Sequence, residues 1–121
     1  MAKIGRKTWV IPGGHIPLHS QGPEPENTSR DELCLLNTGK VEARLEITIY
    51  YADRDPVGPY ALTAPPRRVW NVRFNDLIDP EALPLHTPYA AVIEANVPIV
   101  VQFGRLDSGR GMSVGFIPYT E

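Results

Sequence analysis

Thirteen of the 121 residues are proline, and they are scattered from Pro12 to Pro118 rather than gathered in one tract. Proline has a fixed φ and no N–H, which excludes it from helix interiors and from central strands. The chain is thereby cut into short segments. That spacing, with ten glycines beside it, argues for many strands joined by stiff loops.

The segments between the breaks read as strands. Val41, Ala43, Leu45, Ile47, Ile49 and Tyr51 alternate with Glu42, Arg44, Glu46, Thr48 and Tyr50. This period of two marks a half-buried strand. Asn37-Thr38-Gly39 before it suits a short hairpin loop. Trp70, Val72 and Phe74 share one face of a second alternating run, Arg67 to Phe74. Further strands are expected over 8–11, 32–36, 60–63, 90–95, 99–103 and 112–117, with a turn at Asn96-Val97-Pro98. Residues 15–31 form a long loop. One helical turn is expected near Asp79-Pro80-Glu81, where Asp79 caps and Pro80 takes the first helical position. The fold class is all-β: an antiparallel β-sandwich of about eight strands, one domain over residues 1–121, with at most one short helical turn. Leu45, Ile47, Ile49, Val72, Phe74, Ile99, Val101 and Phe103 form its expected core.

Composition excludes several functions. The formal net charge is −2, which opposes a nucleic-acid partner, and there is no polybasic membrane anchor. The basic start Met1–Lys7 is not followed by the apolar stretch of a signal peptide. The single cysteine, Cys34, has no internal partner, which favours the reducing cytoplasm; its apolar neighbours make it a small buried hydrophobe. His15 and His19 are four apart, but Pro17 denies them a helix and His86 is isolated, so no metal site is expected. No nucleophile elbow, phosphate loop or dinucleotide fingerprint is present. No catalytic residue, cofactor or metal is assigned, and the chain is read as a non-enzyme.

Two strand ends carry the candidate site. Arg73-Phe74-Asn75-Asp76 ends one strand and Arg105-Leu106-Asp107-Ser108 ends another. Arg105 and Asp107 continue the core-facing row of Ile99, Val101 and Phe103. A cation and an anion therefore stand at the rim of the core, either as an ion pair closing the sandwich or as a clamp for a small polar or anionic ligand.

Six blocks carry a resemblance: Gly22-Pro23-Glu24-Pro25, Glu46 to Tyr51, Pro56 to Tyr60, Arg73 to Leu77, Asn96 to Gln102, and Arg105 to Ser108. In this order they resemble the sensory rhodopsin transducer family, nearly to Ser108. After Ser108 the chain departs from the founding member. The resemblance implies a soluble cytoplasmic β-sandwich that assembles as a homotetramer. It implies either a module that binds a small sugar-like or other polar metabolite or, as the alternative, a transducer that binds a membrane photoreceptor. Glu24, Arg73, Asn75, Asp76, Gln102, Arg105, Asp107 and Ser108 are the polar residues it brings forward. The ligand-binding set expected from both lines of argument is Arg73, Asn75, Asp76, Arg105, Asp107, Ser108 and Glu24. The metabolite-binding reading leads. An enzyme acting on sugars through Glu24 with Asp76 or Asp107 is the weakest reading, because the chain offers no deep site for it.

Overall fold

The computed structural model describes residues 3–121. Eight strands run β1 (Arg6–His15), β2 (Arg30–Asn37), β3 (Ala43–Tyr51), β4 (Val57–Ala64), β5 (Arg68–Arg73), β6 (Pro88–Asp107), β7 (Met112–Phe116) and β8 (Tyr119–Thr120). Every pairing is antiparallel. One layer has the order β4-β3-β6-β1-β8; the other is β5-β2-β6-β7. The sheet does not close into a barrel.

Both layers contain β6, and this is what makes a sandwich from one network. Its first half pairs with β1 and β3, its second with β2 and β7. Tyr89 and Arg105 lie sixteen positions apart, about 50 Å along a straight strand. Yet both bond to the carboxylate of Asp31, Tyr89 at 2.8 Å and Arg105 at 2.7 Å. The strand is therefore bent back on itself. The bend is marked by the β1 pairing, where Arg6 faces Ile99 and Thr8 faces Glu94. The turn expected at Asn96-Val97-Pro98 is thus a corner within one continuous 20-residue strand, not a break between two strands.

The core follows parity. Tyr89, Ala91, Ile93, Ile99, Val101 and Phe103 of β6 are buried, together with Leu45, Ile47 and Ile49 of β3 and Leu33 and Leu35 of β2. All eight expected core residues are buried. Each large aliphatic side chain so buried contributes about 1.5–3 kcal/mol, and the inward rows form one contiguous cluster.

Other expectations are corrected. β1 runs through Pro12-Gly13-Gly14, accommodating them as an irregularity between Ile11 and Gly14. The helical turn does not form at Asp79-Pro80, where the peptide bond is cis; a 3-10 turn forms at Phe74–Asp76 instead. Cys34 is half-buried on the outer face of β2, because the inward row of that strand is Asp31, Leu33, Leu35 and Asn37. Burial, helped by the charge of Glu32, pushes its thiol above the ordinary value.

Candidate functional site

The bend of β6 divides the sandwich into a corner end, near Val97 and Pro98, and an open end where β6 begins and finishes. The open end has a buried carboxylate at its centre. Asp31 is fully buried. It accepts from the Tyr89 hydroxyl at 2.8 Å, the His15 main-chain N–H at 2.7 Å, and Arg105 Nε and Nη2 at 2.7 and 3.3 Å. Four donors fill the acceptor capacity of a carboxylate. Arg105 Nη2 also donates to the Gly13 carbonyl at 2.8 Å, and the guanidinium lies 5.7 Å from the Phe103 ring centre. Burial works to lower the Arg105 pKa, but the hydrogen bonds and charge of Asp31, with Tyr89 and Asp107, hold it above the usual value. Burial, reinforced by Asp31, drives the Tyr89 hydroxyl far above the normal phenol range, so it stays a donor.

A second polar cluster fastens the long loop. The Ser29 hydroxyl donates to the His19 carbonyl at 2.6 Å and accepts from the Ser108 N–H at 3.0 Å. The Ser108 hydroxyl donates to the Asn27 carbonyl and accepts from the Gln21 N–H at 2.9 Å. Asn75 Nδ2 donates to the Ser29 carbonyl at 3.1 Å, while its buried Oδ1 has no partner. Ser108 and Asn75 thus pin residues 20–29 across the end of the sandwich.

A cleft of about 590 Å³ opens beside this cluster, lined by His15, Leu18, His19, His86, Arg105, Asp107, Arg110 and Met112 to Val114, among others. Its volume is that of a small-molecule site. His15 comes from the end of β1, His19 from the following loop, His86 from the loop before β6, and Arg110 from the turn after it. Among the described residues, no group of three or more His, Cys, Asp or Glu is placed to hold a metal ion.

The residues expected at the site are only partly brought together. Arg105 and Asp107 line the cleft. Arg105 pairs with Asp31, however, and Asp107 faces Arg110 at 3.8 Å. Arg73 and Asp76 pair with each other, at 3.0 and 3.2 Å, on the far side of the same layer: Arg73 is at the open end but on β5, with β2 between it and β6. Ser108 is buried, and Glu24 is exposed on the loop. Neither lines the cleft. Sequence reasoning missed Asp31 and Tyr89, and set His86 aside as isolated. The available signal was parity: Asp31 stands in the row of Leu33 and Leu35.

The Anabaena sensory rhodopsin transducer family matches residues 4–117. The chain belongs to the Anabaena sensory rhodopsin transducer family. The match runs past Ser108, where the sequence blocks stop, and takes in β7. The solved structure of the Anabaena sensory rhodopsin transducer is 48% identical, covers 85% of this chain and 99% of its own, and superposes with a TM-score of 0.73. A solved structure of a Thermotoga maritima protein is 31% identical, covers 98% of this chain and 97% of its own, and gives a TM-score of 0.85. No curated protein matches. Among the described residues of this transducer-family chain, no helix is long and apolar enough to cross a membrane.

Proposed function

We propose that the chain is a non-enzymatic cytoplasmic relay protein, one domain over its length, that binds a membrane-embedded sensory rhodopsin and passes its signal on. Membership of the transducer family, at 48% identity to a relative named for that role, is the observation that carries this reading. It now ranks ahead of metabolite sensing, which sequence reasoning had put first; nothing in the relatives' names supports a sugar.

Charge placement supports it independently. Lys3, Arg6, Lys7, Lys40, Arg44, Arg67 and Arg68 are scattered in sequence but gather, exposed, toward the corner end, with Glu42 among them. The whole chain has a formal charge of −2, so the rest of the surface is acidic. A polarised protein of this kind is oriented by the anionic cytoplasmic leaflet, with its basic end toward the membrane.

Self-association belongs to the same proposal. Met112, Val114 and Phe116 of β7 are exposed although they share the inward face of their layer, and Ile117 after β7, Tyr119 of β8 and Tyr50 of β3 are exposed as well. Such surface calls for a cover, and we assign it to other copies of the chain in a homotetramer. A second reading, binding of a small polar ligand through Arg105 and Asp107, draws on the cleft. The test of the relay is binding to the receptor in nanodiscs containing anionic lipid. The expected result is saturable binding above that to empty discs, weakened roughly tenfold by Lys40→Glu with Arg67→Glu. Equal binding to loaded and empty discs contradicts it.

A further inference from the structure

All three histidines of the chain converge on one cleft, although they lie at positions 15, 19 and 86. Each enters the hydrogen-bond network through main-chain atoms: His15 and His86 through N–H and His19 through its carbonyl. Their imidazoles are left to face the cleft. The His15 and His86 rings meet edge to face, with centres 5.2 Å apart.

The charged groups facing these rings are Arg105 and Asp107 from β6 and Arg110 from the turn after it. Asp31 of β2 and Tyr89 stand behind Arg105. The two carboxylates balance the two guanidinium groups, Asp31 against Arg105 and Asp107 against Arg110. The cleft is therefore close to neutral while the imidazoles are uncharged. Imidazole is the side chain that ordinarily gains charge between pH 8 and 5. Both carboxylates are already engaged with guanidinium groups, so a positive charge on the adjoining His15 and His86 rings meets no unpaired carboxylate in the cleft. An anion placed among the rings supplies the missing partner.

Geometry favours a tetrahedral oxyanion. Arg105 uses Nε and Nη2 on Asp31 and Gly13. Its direction is thus fixed, while Nη1 has no partner among the described residues. Arg110 is mostly exposed and reaches Asp107 only at 3.8 Å. Imidazole N–H groups and Nη1 offer donors from several directions, which a phosphate or sulfate group with its spread of acceptor oxygens can take together. Pro17 and Leu18 give an apolar wall for the body of the molecule.

We propose that this cleft binds a small ester bearing a phosphate-type oxyanion, and that binding is coupled to protonation of His15, His19 and His86. The inference rests on the second reading above, that the cleft takes a small ligand, and narrows it to an anion whose affinity rises as pH falls.

Inorganic sulfate is the decisive probe, because its charge is constant from pH 8 to 5.5. Calorimetry with the full chain is expected to show sulfate binding about tenfold more tightly at pH 5.5 than at pH 8. Arg110→Gln, at an exposed position, is expected to weaken binding, and His19→Gln with His86→Asn to flatten the pH dependence, both with unchanged melting temperature. Asn is chosen at position 86 because φ there is +53°, a region Asn tolerates. Sulfate binding that ignores pH, or that survives these variants and is lost on Lys3→Gln with Lys40→Gln, overturns the proposal. Glucose in place of sulfate separates the two readings. If glucose shifts the histidine proton resonances and sulfate does not, the cleft takes a ligand and the anion class is wrong. If neither does, both readings fall.

Discussion

Asp31 and Arg105 show how much one cross-strand pair decides. They face each other in the β2–β6 register, where side chains across a ladder stand about 5 Å apart. Arg105 and Asp107 share a face of a single strand, but two positions along a strand is nearly 7 Å, and the nearer carboxylate wins. Arg105 was therefore legible as a rim residue from its parity with Phe103. Its partner was not, because pairing between distant strands leaves no local trace. The correction changes an energy. A rim pair is worth about 0–1 kcal/mol, whereas removing one member of a pair whose other member is buried costs on the order of 3 kcal/mol. Arg105→Ala is accordingly expected to lower the melting temperature by about 10 °C. Arg73→Ala, which removes an exposed pair, should shift it by no more than about 3 °C. Thermal unfolding followed by circular dichroism checks both; equal shifts would contradict the assignment of Asp31.

At the scale of elements, the bent β6 organises the rest. The alternation of β3, the inward rows and the eight core residues could be read from sequence because period-two burial is a local signal. The corner could not, since Pro98 reads as a terminator and only the register with β1 shows the strand continuing. Gly5 is the residue that permits this corner. Its φ is +106°, and a Cβ there would lie 2.3 Å from the Ile99 carbonyl oxygen. Neither the backbone angle nor the contact tolerates a side chain. Gly5→Ala is expected to cost at least about 1–3 kcal/mol and to speed amide exchange at Val97 to Val100 before the rest of β6. Gly13, where a Cβ meets nothing within 4 Å, is the control: Gly13→Ala should leave exchange at the corner unchanged. Exchange rates that respond alike to both changes would remove the corner from its central place.

Over the whole molecule, two properties emerge that no segment displays. Basic residues separated by up to sixty-five positions, Lys3 to Arg68, collect at the corner end, while the histidines and the Asp31 cluster occupy the open end. The exposed apolar face of β7 is the surface that the proposed assembly would cover. Light scattering at micromolar concentration is expected to give the mass of a tetramer of the 13.4 kDa chain, and Val114→Asp with Phe116→Asp to dissociate it. A monomer without these changes would leave the β7 face unexplained. The relay itself makes a sharper demand than binding. A protein that transmits a receptor's state must bind its two states unequally, since equal affinity shifts no equilibrium. The most direct measurement is therefore the affinity of the chain for the sensory rhodopsin in anionic nanodiscs, compared in darkness and under steady illumination. A Kd that differs by about fivefold or more between the two, or about 1 kcal/mol of coupling, is the predicted result; the same Kd in both would contradict the relay.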